Sequence, residues 1–353
     1  MKRTKLFAKL SKVVYALFIM AAVSITFTAC DDTEDAEPAP EDSILEIVTT
    51  STTHTQLLKF VSANDGLVNV LGGNNLTLFA PNDDAFEKLR VTLGVASLEQ
   101  VNPAVISAVL AFHVYTAGVV LRADITAESA LTTVQGEAIT INASTGNIAT
   151  GGSDTDVEFV GDEILATNGV VHVVETILIP PTIFATIGAN LGKVSQTILL
   201  GADFSTLAAA IGKADAGFAA ETEGVTPLSA ILANADLALT VFAPVNQVFE
   251  AGQITLDTYT AQQWYGIIAN HVLLSKRLST SLVVGEGMPT AAGGAITLLP
   301  SGGLDSNGIS GAEASFIEGA IDIESSNGVV HAIAGVLAPA AAGRYAIDEI
   351  YTK

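Results

Sequence analysis

Two stretches of this chain repeat one another. Leu76-Thr-Leu-Phe-Ala-Pro-Asn-Asp-Asp-Ala-Phe-Glu87 returns as Leu239-Thr-Val-Phe-Ala-Pro-Val-Asn-Gln-Val-Phe-Glu250. Each begins with a short apolar run, in which Leu76 and Leu78 alternate with Thr77 and Phe79 at the period of a strand. Proline then stops the run, because it has no N–H to give to a ladder. Asp83 and its counterpart Asn246 stand where a residue caps the next helix, and Phe86 and Phe249 lie one turn in, where a core would receive them. A strand feeding directly into a helix, twice, predicts two copies of one domain. The 353 residues suffice for both, and with 49% apolar and 15% charged residues each copy can bury a core.

Further blocks keep the same order. Asn102 and Pro103 open a helical stretch that runs through Val105, Ile106, Val109 and Leu110 to His113. Its counterpart opens on Thr260-Ala-Gln-Gln263, a capping box, and runs through Trp264, Ile267 and Ile268 to His271. Strand-like pieces follow, Thr132 to Ile141 and Pro289 to Leu299. Each copy closes on a second strong match, Thr167-Asn-Gly-Val-Val-His172 against Ser326-Asn-Gly-Val-Val-His331. Asn-Gly between apolar runs predicts a hairpin turn at Gly169 and at Gly328.

The first 29 residues read as a targeting signal. Lys2, Arg3, Lys5, Lys9 and Lys12 precede an almost uncharged apolar run from Val13 to Ala29. Phe27-Thr-Ala-Cys30 resembles a bacterial lipobox, which implies that Cys30 becomes the lipidated first residue. The alternative is an ordinary signal cut nearby. Cys30 is the sole cysteine, so no disulfide forms within the chain. Without residues 1–29, ten basic residues face 37 acidic ones, a net charge of −27. Residues 30–42 are acidic and carry proline, the composition of a solvated tether. They also resemble a surface-export signal of Bacteroidetes lipoproteins; a plain spacer is the alternative. Net charge of this sign excludes nucleic acid as a partner, since phosphates would be repelled.

Together the Phe-Ala-Pro block (Phe79 and Pro81; Phe242 and Pro244), the helical histidines His113 and His271, and the endings at Gly169-Val-Val-His172 and Gly328-Val-Val-His331 resemble the fasciclin-domain family. That resemblance implies an α+β fold, two tandem domains over 43–181 and 190–341, each a strand wedge or sandwich with packed helices, followed by a tail at 342–353. It also implies a role outside the cell in adhesion or matrix association. Animal members carry integrin-recognition motifs built on an Asp-Ile pair and a Tyr-His pair. Here Phe112 and Asn270 precede the helical histidines, Asp124-Ile125 follows its helix, and no Arg-Gly-Asp occurs, so integrin binding is not carried over.

Chemistry has little to stand on. Of five histidines, four form two repeat-related pairs on apolar faces or Val-rich strands, the setting of hydrogen-bonded core residues; His54 is the fifth. No Gly-x-Ser-x-Gly, His-Glu-x-x-His or phosphate loop is present. Asp154 to Glu158 alternates carboxylates but has Phe159 where a calcium loop needs glycine, and Asp305-Ser-Asn-Gly308 is equally short; both read as polar turns. The reading is therefore a non-enzymatic protein without cofactor or metal, anchored through Cys30 in the bacterial outer membrane and facing the cell surface or the periplasm. Its partner is a surface protein or a glycan. The alternative is an accessory glycan- or ligand-binding lipoprotein of an uptake system, which exposed aromatic rings would favour.

Overall fold

A computed structural model describes residues 39–125, 130–142, 145–149, 156–308 and 311–338. Cys30, the signal segment, Asp154 and the tail lie outside the described residues. The described residues from Glu41 onward form one compact unit that holds both copies.

The first copy begins with helices α1 (Ile44–Thr50), α2 (Thr55–Ser62) and α3 (Asp65–Leu71). Strand β1 (Leu76–Pro81) leads into α4 (Asp83–Leu93), and α5 (Pro103–Ala111) leads into β2 (Val114–Tyr115). Strands β3 (Ala130–Thr132), β4 (Ala138–Ile141) and β5 (Ile148–Ala149) form a small antiparallel sheet. The copy closes with β6 (Ile164–Ala166) and β7 (Gly169–Val174), which complete a second sheet of order β2-β1-β7-β6. Its central pair, β1 and β7, runs parallel with Phe79 opposite His172.

Helix α6 (Pro181–Asn190) leads to the second copy, in which a π-helical turn at Gln196–Leu200 stands in place of α1. Next come α7 (Ser205–Ala214), α8 (Leu228–Leu232), β8 (Leu239–Pro244), α9 (Asn246–Ala251) and α10 (Ala261–Asn270). After β9 (Val272–Leu273), strands β10 (Gly287–Pro289), β11 (Ala295–Leu298), β12 (Gly303–Asp305) and β13 (Ala314–Ser315) form one sheet. Strands β14 (Ile323–Ser325) and β15 (Gly328–Ile333) join β8 and β9 in the other, where β15 and β8 repeat the parallel pairing with Phe242 opposite His331.

Every residue of β1 and of β8 is buried, not only alternate ones. The strand is covered on both faces. Leu76, Leu78 and Ala80 enter the core beneath the helices, whereas Phe79 enters a second core with Leu131, Ile139, Ile148 and Leu178. Leu239, Val241 and Ala243 divide from Phe242 in the same way. Period two therefore sorts side chains between two cores and not between core and water.

Three local expectations are corrected by the packing. Asp83 and Asn246 do not cap the helices they begin. Asn82 caps α4 by accepting from the Ala85 N–H, and Val245 at the start of α9 gives no side-chain cap. Asp83 instead accepts from the Gln56 N–H at 2.9 Å and the Thr55 hydroxyl at 2.9 Å, and Asn246 accepts from the Thr206 N–H at 2.9 Å. Each residue serves the start of an earlier helix, α2 or α7, which the fold brings alongside. The hairpin loop is Thr167-Asn168, with Ala166 opposite Gly169. Gly169 and Gly328 begin their strands without positive φ. Their lack of a side chain answers a close approach, since a Cβ would lie 2.1 Å from the Leu76 carbonyl oxygen and 2.3 Å from that of Leu239. Finally, His271 caps the C-terminus of α10 and His113 follows the cap of α5, so both sit past the helix faces they were expected to continue.

Candidate functional site

The repeated histidines are framework cross-links. At the end of α5, His113 Nδ1 donates to the Val109 carbonyl at 2.7 Å and Nε2 accepts from the Leu178 N–H at 2.9 Å. His271 does the same with Ile267 at 2.8 Å and Leu337 at 2.9 Å. Accepting through Nε2 requires the neutral ring. Burial pushes both imidazoles down to about 4, against a smaller opposing effect of the carbonyl bond.

His172 and His331 use the opposite tautomer. Nε2 of His172 donates to the Val120 carbonyl at 2.8 Å, and Nε2 of His331 to that of Arg277 at 2.9 Å. Desolvation lowers both pKa values. Phe79 stacks on His172 and Phe242 on His331, with ring centroids 5.5 Å apart in each copy. Buried Thr77 and Thr240 complete the arrangement. Thr77 donates to the Gly118 carbonyl at 2.9 Å and accepts from the Val120 N–H at 2.9 Å, while Thr240 bonds Ser275 at 2.7 Å and Arg277 at 2.8 Å. Pro81 and Pro244 end their strands opposite Val174 and Ile333.

The Asn-Gly pattern explains Asn168 and Asn327 as turn formers alone, yet each joins three segments. Asn168 accepts from the Ile44 N–H and donates to the carbonyls of Leu71 and Gly73. Asn327 accepts from the Val194 N–H and donates to Leu232 and Asn234. A signal was available: the Asn recurs before Gly in both copies, although the turn alone would explain it.

These groups hold the backbone, and none of them lines the surface clefts described below. Among the described residues, no three His, Cys, Asp or Glu side chains come together as metal ligands do. The residues before the helical histidines are also inaccessible. Phe112 lies in the strand core, and Asn270 bonds the Leu337 carbonyl and the Thr290 hydroxyl. His54, the unrepeated histidine, is buried at the start of α2 with Nδ1 2.7 Å from the Ser51 hydroxyl. The described part of the carboxylate-rich stretch is likewise engaged, Asp156 accepting from Asn142 at 2.7 Å and from Thr145 at 2.5 Å. Asp305 accepts from the N–H groups of Asn307 and Gly308 within its turn.

Among the surface clefts of the described residues, two combine apolar walls with room for a partner's side chains. One, of about 420 Å³, lies in the first copy between α2, α5 and the turn at Leu98–Gln100, with Phe60, Leu98, Ile106 and Leu110 in its wall. The other, of about 370 Å³, lies where the copies meet. Next to it the Asn102 N–H donates to the Leu200 carbonyl at 2.6 Å, and Gln196 reaches the Leu93 carbonyl at 2.8 Å.

The Fasciclin domain family matches residues 52–180 and 202–339, and the chain belongs to that family. It is similar to the transforming growth factor-beta-induced protein ig-h3 of Oryctolagus cuniculus, 26% identical over 71% of this chain and 32% of that protein. It is also similar to stabilin-1 of Mus musculus, 27% identical over 46% of this chain and 6% of that one. The chain thus spans about a third of the first and a small fraction of the second. Protein sll1483 of Synechocystis is 27% identical over 39% of this chain and 74% of its own length. A solved domain pair from the insect cell adhesion molecule fasciclin I covers 80% of this chain and 95% of its own at 15% identity, with a TM-score of 0.29.

Proposed function

We infer that this protein is a non-enzymatic adhesion or scaffold module, held at the outer membrane by a lipid on Cys30 and acting through the outer surfaces of its fasciclin domains. One observation carries the reading. The residue types most able to do chemistry, the four repeated histidines, are spent in both copies on backbone hydrogen bonds within the core. What such a frame offers a partner is its surface. The basic start, apolar run and single Ala29-Cys30 junction support the anchor, and no helix among the described residues is long and apolar enough to cross a membrane. A lipid at a chain end anchors without spanning.

The glycan-binding alternative gains nothing from the one tryptophan, since Trp264 is buried and its indole N–H donates to the Leu256 carbonyl. Metabolic fatty-acid labelling and membrane fractionation of Cys30→Ser test the anchor; a variant still labelled and membrane-bound would refute it. Attachment of protein-coated beads to cell surfaces and matrix proteins tests the adhesive role, and beads that settle no better than uncoated ones would refute that.

A further inference from the structure

The two copies share a frame and differ at one place on it. Counting back from His113 and His271, Val101 corresponds to Tyr259, Ile106 to Trp264 and Ser107 to Tyr265. In the second copy these positions hold an aromatic cluster. Tyr259 meets Trp264 edge-on at 5.1 Å, and Tyr265 donates to the Thr226 carbonyl at 2.8 Å. The chain between α7 and α8 is also longer than its counterpart between α2 and α3. It makes a π-helical turn at Asp215–Ala219, which sets Phe218 edge-on against Tyr265 at 5.2 Å and brings Gly217 so close to Ala261 that a Cβ there would lie 2.9 Å from the alanine's. The second copy therefore covers this helix with its own Gly217-Phe218-Ala219.

In the first copy α2 runs almost directly into α3, with Asn64 capping the latter and bonded to the Ser107 hydroxyl. Among the described residues, Val101 and Ser107 stand where the second copy has Tyr259 and Tyr265, and the one aromatic ring in the cleft wall, Phe60, stacks on Phe86. In the wall of the 420 Å³ cleft, Val101, Ile106 and Ser107 stand at the positions that carry the aromatic groups in the other copy. Glu99 in its wall is ion-paired with Lys59, which lies over the Phe60 ring, and exposed Asp65 follows Asn64.

We propose that this cleft is a docking site for a peptide segment of another protein that inserts an aromatic side chain. The ring takes the place that Phe218 takes in the second copy. This deepens the reading of the protein as a surface recognition module and rests on it.

The test uses the full-length chain and the capped peptide Lys-Gly-Phe-Ala-Lys, followed by amide chemical shifts. The expected result is saturable shifts at residues 60–64 and 98–110. Binding should weaken roughly tenfold or more with alanine in place of the peptide's phenylalanine, as for a buried anchor. It should weaken equally in Ser107→Tyr, which restores the second copy's residue, and in Ala104→Trp, which blocks the cleft from an exposed position. Both variants should keep the parent melting temperature; if Ser107→Tyr does not, Ala104→Trp decides alone. No binding, shifts confined to the second copy, or indifference to Ala104→Trp would overturn the proposal. Equal binding of the alanine peptide would overturn it as well. Concentration-dependent shifts at the same amides without peptide would show a second copy of the chain as occupant and overturn the assignment to a different partner. Peptide binding by a protein whose coated beads do not adhere leaves the cleft standing and removes adhesion; adhesion without peptide binding does the reverse.

Discussion

At the scale of single residues, the duplication supplies an internal replicate for every structural role. His113 and His271 make matching pairs of backbone hydrogen bonds, so replacing either with alanine should cost on the order of 1–3 kcal/mol, read by chemical denaturation. Their protonation sets a pH window. An unfolded imidazole takes up its proton near 6.5, while these two do so only at about 4. Between those values the unfolded chain binds more protons than the folded one, so acidification favours unfolding. The contribution is complete above pH 6.5 and is lost as pH falls to about 4, to the extent of roughly 3 kcal/mol per histidine. Ring-proton NMR should show neither imidazole titrating between pH 7 and 5; a midpoint near 6.5 would contradict the buried neutral state. Asn168→Ala should cost about 2–4 kcal/mol, because it strips partners from the Ile44 N–H and from two carbonyls at once.

At the scale of elements, the helix starts are stabilised from across the fold. Asp83→Ala should fray α2 rather than α4, at a cost of about 1 kcal/mol. Amide exchange at Thr55–Leu57 would accelerate while that at Ala85–Glu87 stays slow, and Asn82→Ala should give the opposite pattern. This division was not legible in the sequence, where an Asp or Asn just after a strand-ending Pro reads as a cap for whatever helix follows. Capping acts through space. The side chain that satisfies an orphan N–H can come from any element that packs beside it, and Gln56 is distant from Asp83 in the chain but adjacent in the fold.

At the scale of the whole molecule, the copies are joined by a segment that both use. Val194 and Ile198 lie in the helical core of the second copy, whereas Ile187 and Leu200 lie in that of the first. Leu200→Ala, a change within the second repeat by sequence, should therefore destabilise the first, by about 2–5 kcal/mol. Hydrogen exchange of β1 and β7 would report it, and a loss confined to β8 and β15 would contradict the shared segment. Phe79→Ala, at a fully buried ring, should cost about 3–5 kcal/mol. Limited proteolysis of that variant should digest the first copy and leave a fragment beginning near Asn190. Simultaneous digestion of both halves would mean one indivisible core.

What the sequence determined by itself was whatever depends on neighbours in the chain. The duplication, the strand that ends at Pro81 or Pro244, the Asn102 cap and the Thr260 capping box all follow from residues within a few positions of each other. Local propensity and patterning suffice there, because the partners of each group are one turn or one strand away. The tertiary structure alone decided what joins distant segments. It paired β1 with β7 in parallel, split one strand between two cores, turned Gly169 from a turn residue into a point of backbone contact, and gave Asn168 three partners. It also left open in the first copy a cleft at positions where the second copy carries Tyr259, Trp264 and Tyr265. Those outcomes depend on which surfaces meet once both faces of the central strands must be buried, and a linear pattern carries the demand for burial without naming the surface that meets it.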